Sequence, residues 1–110
     1  MPGDGRIREA IEAIVARLVA HYAPQKIILF GSYAHGQPDE DSDIDLLIIK
    51  DTSERFLDRM TTVRRVTQDT HRHIPFDPLV LTPAELEERL RIGDQFIGEI
   101  IEKGQVLYAA

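Results

Sequence analysis

Residues 26–50, KIILFGSYAHGQPDEDSDIDLLIIK, decide the fold of this chain. Two apolar runs, Ile27 to Phe30 and Ile44 to Ile49, flank a polar segment that opens Gly31-Ser32 and closes Asp43-Ile44-Asp45. Short β-branched and aromatic runs bounded by Gly, Pro, Ser and Asp read as strands buried on both faces. Gly31 and Ser32 then stand where the first strand ends. Asp43 and Asp45 open the second strand, spanning Asp43 to Ile49. Being two residues apart, their side chains leave the same face. Two carboxylates about 6 Å apart repel by roughly 2–3 kcal/mol at an effective dielectric near 20. A divalent cation between them relieves that repulsion, and hard cations such as Mg²⁺ prefer oxygen ligands. The stretch reads as a metal and phosphate site.

Upstream, Ile7, Ile11, Ile14, Val15, Leu18 and Val19 recur at three- and four-residue spacing. They predict an amphipathic helix to about His21, capped by Asp4 and stopped by Pro24. The turn after Phe30 has room for one helical turn at Ser32 to His35. Downstream, Asp51 with Glu54 resembles a capping box for a second long helix to about His71. Its apolar stripe is Phe56, Leu57, Met60, Val63 and Val66. Ile74 to Leu81 reads as a third strand, and Pro78 within it demands an edge position or a bulge. Thr82-Pro83-Ala84-Glu85 supplies an N-cap, a proline at the first helical position and a capping glutamate, and Gly93 stops the helix that follows. Asp94 starts a last helix with Phe96, Ile97, Ile100 and Ile101 on one side, closed by Gly104. Gln105 to Tyr108 is short enough for a final strand. The result is an α/β chain, a small mixed sheet with helices against it.

The 110 residues are expected to form one domain, residues 1–110, burying about two-thirds of the unfolded surface. A formal net charge of −6 argues against extended contact with a nucleic-acid backbone. There is no cysteine, hence neither disulfide frame nor thiolate metal site. No apolar run approaches a membrane span and no signal peptide opens the chain, so the expected compartment is the cytoplasm. His71 and His73 lack a third ligand and read as surface histidines. Asp39, Glu40 and Asp41 read as a solvated loop, Ser42 as a local backbone partner, and Arg64, Arg65 and Arg72 as a solvated helix face.

Gly31-Ser32, ten residues, then Asp43-Ile44-Asp45 resembles the G-S-x10-D-x-D signature of the DNA polymerase beta superfamily of nucleotidyltransferases. The compact chain resembles the minimal nucleotidyltransferases of that superfamily along nearly its whole length, from the leading helix to the closing EKGQVLY. The resemblance implies a polymerase-beta-like fold and a transferase moving a nucleoside monophosphate, AMP from ATP first among them, to a hydroxyl. It places Gly31 and Ser32 against the triphosphate of ATP or another nucleotide. Asp43 and Asp45 would hold Mg²⁺, two ions in all, with a third carboxylate on a neighbouring strand. Asp77, the acidic residue inside the third strand, takes that place. Tyr33 and His35 stand where many members of the family carry arginines. Relatives of this size commonly pair with small helical HEPN-domain proteins as toxin–antitoxin modules, in some of which AMP is transferred to a partner tyrosine. That implies a HEPN-domain partner here; self-association as a homodimer is the simpler alternative. Two further readings stand beside the transferase: a non-catalytic antitoxin that keeps the fold, and a transferase acting on a small hydroxylated molecule.

Overall fold

The computed structural model describes residues 5–36, 38 and 42–110. Four strands form one sheet: β1 (Lys26–Phe30), β2 (Ile44–Ile49), β3 (Phe76–Leu81) and β4 (Gln105–Ala109), in the order β3-β2-β1-β4. β1 runs antiparallel to both β2 and β4, whereas β2 and β3 are parallel. The two central strands are the two apolar runs of the opening stretch, and their inner residues are buried on both faces.

Alternation along the strands sorts their side chains onto two faces. Ile27, Leu29, Ile44, Leu46, Ile48, Phe76 and Val80 form one core. Against it lie the long helix α1 (Gly5–His21), through Ile11, Ile14 and Leu18, and α3 (Phe56–Val66), through Val63. Ile28, Leu47, Ile49 and Leu81 form the other core. It is covered by α4 (Pro83–Arg91) through Leu86 and α5 (Gln95–Lys103) through Ile97 and Ile100. A single turn of helix, α2 (Ser32–His35), follows β1. Among the described residues no helix is long and apolar enough to cross a membrane.

The local signals of the second half hold where they are stereochemical. Thr82 and Glu85 form the capping box, Gly93 has φ +76°, and the Asp94 side chain accepts from the Ile97 amide. The Asp51–Glu54 box does not form. α3 starts five residues later, after Arg55, because Glu54 is engaged elsewhere: its carboxylate accepts from the Thr62 hydroxyl at 2.6 Å and its amide donates to Thr52 Oγ1. The helix also stops at Val66, short of His71. Its expected stripe is wrong at one end, since Leu57 is 73% exposed and Arg59 takes a buried position instead. The Asp4 cap, Gln37 and the Asp39–Asp41 loop lie outside the described residues.

β3 is an edge strand, and Pro78 explains how it tolerates that place. Ile44 N donates to Pro75 O, and Lys50 N donates to Leu81 O. Odd-numbered residues of β3 therefore turn their backbone groups toward β2, and Phe76, Pro78 and Val80 turn theirs outward. The donor that proline lacks would have faced away from the sheet. Two outward carbonyls are taken by arginines of α3: Arg59 donates to Val80 O at 3.2 Å and Arg64 to Phe76 O at 3.3 Å. Arg64 is thus engaged by the strand edge and not simply solvated.

Arg59 also donates to Glu54 O at 2.9 Å and grips Glu85 through two hydrogen bonds of 2.6 and 3.1 Å. Its side chain is 6% exposed and that of Glu85 41%. The hydrogen bond from Arg59 holds Glu85 below the usual glutamate range despite partial burial. Arg59→Met keeps the volume but strips two carbonyls and a carboxylate of their donor. Glu85 can turn to water, so the loss is expected near 2–3 kcal/mol and not at the upper end for a buried pair. The urea midpoint should fall accordingly with unchanged slope.

Candidate active site

The sheet brings three of the marked residues into one place. In the pairing register Phe30 stands opposite Asp45, and Asp45 opposite Asp77. This row crosses three adjacent strands, and alternation puts it on the face covered by α4 and α5. Asp43, which precedes β2 instead of opening it, returns to the same face two residues before Asp45. One carboxylate oxygen from each of Asp43, Asp45 and Asp77 lies within 4.8 Å of the others. Pro78 does not displace Asp77, because the parallel pairing runs through it without a break.

Asp43 and Asp77 are exposed and Asp45 is half-buried. Burial, then the neighbouring Asp77, then Asp43, push the Asp45 carboxyl from its ordinary 3.8 up to about 6. At this separation and an effective dielectric near 20, each charged pair repels by about 3 kcal/mol. No Lys or Arg among the described residues pairs with any of the three. Three converging carboxylates with no cationic partner are a hard-oxygen donor set that fits a divalent ion. The residues present could hold one.

Gly31 sits beside this cluster with φ +76° and ψ −156°. A Cβ there would drive into Asp45 Oδ2, with Asp45 Cγ only 3.2 Å away. Glycine is therefore required twice, by the backbone angle and by the carboxylate at its back. Ser32 opens α2 next to it. Tyr33 does not line the site as an arginine would: it is buried in the α1 core, and its hydroxyl donates to Ser42 O at 3.2 Å. That bond ties α2 to the residue before Asp43. His35 is exposed. His71 stays apart from the cluster, its Nδ1 2.8 Å from Ile74 O and its ring against Phe76.

Beyond Asp45 the row ends in an aromatic pair. Phe96, from the first turn of α5, meets Phe30 edge to face with centroids 5.7 Å apart and planes at 81°. The apolar periodicity of α5 placed Phe96 on the buried stripe, but it is 57% exposed. The signal that would have linked Phe30 to the site is its register with Asp45, which sequence spacing does not contain.

Three comparisons bear on the chain. The family model described as "Polymerase beta, Nucleotidyltransferase" matches residues 12–110. A Methanocaldococcus jannaschii protein named "Putative protein adenylyltransferase" is 33% identical over 104 residues, covering 91% of this chain and 96% of that protein. The crystal structure of a "putative nucleotidyltransferase" from Sulfolobus solfataricus superposes with a TM-score of 0.56 at 20% identity. It covers 97% of this chain and 89% of that one, a likeness of fold.

Proposed function

This chain belongs to the polymerase beta nucleotidyltransferase family, and from that premise we propose that it transfers AMP from ATP to a hydroxyl group of a partner protein. The observation that carries the reading is the cluster of Asp43, Asp45 and Asp77 backed by Gly31. The adenylyl group and the protein acceptor are supported by the name of the Methanocaldococcus relative. The acceptor we favour is a tyrosine of a HEPN-type toxin, which would make this chain its antitoxin; the motif resemblance supports that choice.

A divalent ion such as Mg²⁺, held by Asp43, Asp45 and Asp77, would neutralise charge on the triphosphate and on departing pyrophosphate. The chain's own residues set the geometry. Gly31 lets the backbone run against the site without a side chain between, and Ser32 would donate its hydroxyl to a terminal phosphate oxygen. Asp77, exposed at the outer strand, would receive the acceptor's proton. The acceptor oxygen forms a bond to the α-phosphorus as the bond from that phosphorus to the β-bridging oxygen breaks, and pyrophosphate leaves.

The test is intact mass of co-purified partner proteins after incubation with this protein, Mg²⁺ and each nucleoside triphosphate in turn. A gain of one or more AMP units from ATP, absent with Asp43→Asn, is the expected result. A stable complex with no mass gain from any nucleotide would replace this reading with inhibition by binding alone.

A further inference from the structure

We propose that Phe96, braced edge to face by Phe30, is the stacking platform for the nucleotide base, which makes Phe96 a base-binding residue of the transfer. The inference rests on the transferase reading above. Its basis is the row in which Phe30, Asp45 and Asp77 stand side by side on one face of three adjacent strands, each about 4.8 Å from the next. A nucleotide carries its charge at one end and a flat, neutral ring at the other, with a sugar between. The row offers the same sequence of chemistries: carboxylates able to hold an ion, then an aromatic surface.

The state of Phe96 supports this use. α5 is anchored through Ile97 and Ile100, which are buried, and through the Asp94 cap. Docking of the helix therefore does not depend on Phe96, which nevertheless leaves 57% of its surface in water. Phe30, fixed in β1, holds the Phe96 ring edge to face and limits its freedom before any ligand arrives. A pre-positioned aromatic face next to an ion site binds a base at little further entropic cost. Leu57, the most exposed large apolar residue among the described residues, lies on α3 against the opposite face of the sheet and has no such relation to the carboxylates. Stacking is tolerant of base identity. The platform favours the larger purine rings over pyrimidines and leaves ATP and GTP to be separated by other contacts.

The experiment compares ATP with inorganic tripolyphosphate, each titrated calorimetrically with Mg²⁺ into wild type, Phe96→Ala and Phe96→Trp. Phe96→Ala should weaken ATP about tenfold or more while leaving tripolyphosphate affinity unchanged. Phe96→Trp should restore ATP binding, and because the chain has no other tryptophan, its emission should change with ATP and not with tripolyphosphate. Unchanged ATP affinity in Phe96→Ala, or an equal loss for both ligands, would overturn the platform while leaving the transferase reading intact. A wild-type protein that binds neither ligand would overturn the transferase reading and the platform with it.

Discussion

Asp45→Asn should slow nucleotidyl transfer about a thousandfold and, in the absence of metal, make the protein more stable above pH 6. The first effect follows from replacing one of three anionic oxygen donors by a neutral amide oxygen, a weaker ligand that lacks the charge to balance a divalent ion. Lewis-acid stabilisation of this kind is worth several kcal/mol, so the rate should fall by about a thousandfold. The second follows from the raised pKa. In the folded protein Asp45 titrates near 6 because it is half-buried beside Asp77 and Asp43, against 3.8 ordinarily. Between those values the folded state holds more protons than the unfolded state, so wild-type stability falls as pH rises through the window and levels off above it. The asparagine variant carries no charge there and lacks this dependence. Thermal unfolding in chelator at pH 4.5 and pH 7.5 should show a gap between variant and wild type that widens at the higher pH. Added divalent metal should then close it by stabilising wild type alone. A variant less stable than wild type at pH 7.5 in chelator would show that Asp45 is held by favourable contacts and not strained by repulsion from Asp77 and Asp43.

Gly31→Ala should damage both fold and reaction, in contrast to Gly36→Ala. Gly31 occupies a region of backbone space that is essentially reserved for glycine, at a cost of about 1–3 kcal/mol for any other residue. Its new Cβ would also displace the Asp45 carboxylate. Gly36 has a similar φ of +73°, yet a Cβ there meets nothing within 4 Å. It should lose only the left-handed strain of about 1–2 kcal/mol and keep its transfer rate. Denaturant unfolding and a nucleotidyl-transfer assay on both variants separate strain from collision. Equal loss of transfer in the two would mean that contact with Asp45 is not what makes Gly31 necessary.

Much of this was legible in the chain because it is local. The two central strands, the Thr82–Glu85 box, the glycine stop at 93 and the common face of Asp43 and Asp45 depend on neighbours within a few residues. What escaped was decided across the fold. Glu54 was drawn into bonding Thr62, so the Asp51 cap never formed. Arg59, charged and so assigned to no core, is buried because an uncovered strand edge and Glu85 lie within its reach. The third carboxylate could be named from the family pattern, but its position beside Asp45 came from parallel pairing, which no spacing in the sequence encodes. Phe96 followed the periodicity of its helix and was nonetheless left in water, since Phe30 meets it at the rim and not in the core.

The hydrogen bond from Tyr33 to the Ser42 carbonyl has an evolutionary reading. It joins the helical turn that follows Gly31-Ser32 to the residue that precedes Asp43. Doubling the length of a closed loop costs only about 0.6 kcal/mol in chain entropy. In descendants of this chain a change of length between Tyr33 and Ser42 should therefore cost little in chain entropy so long as their hydrogen bond is kept.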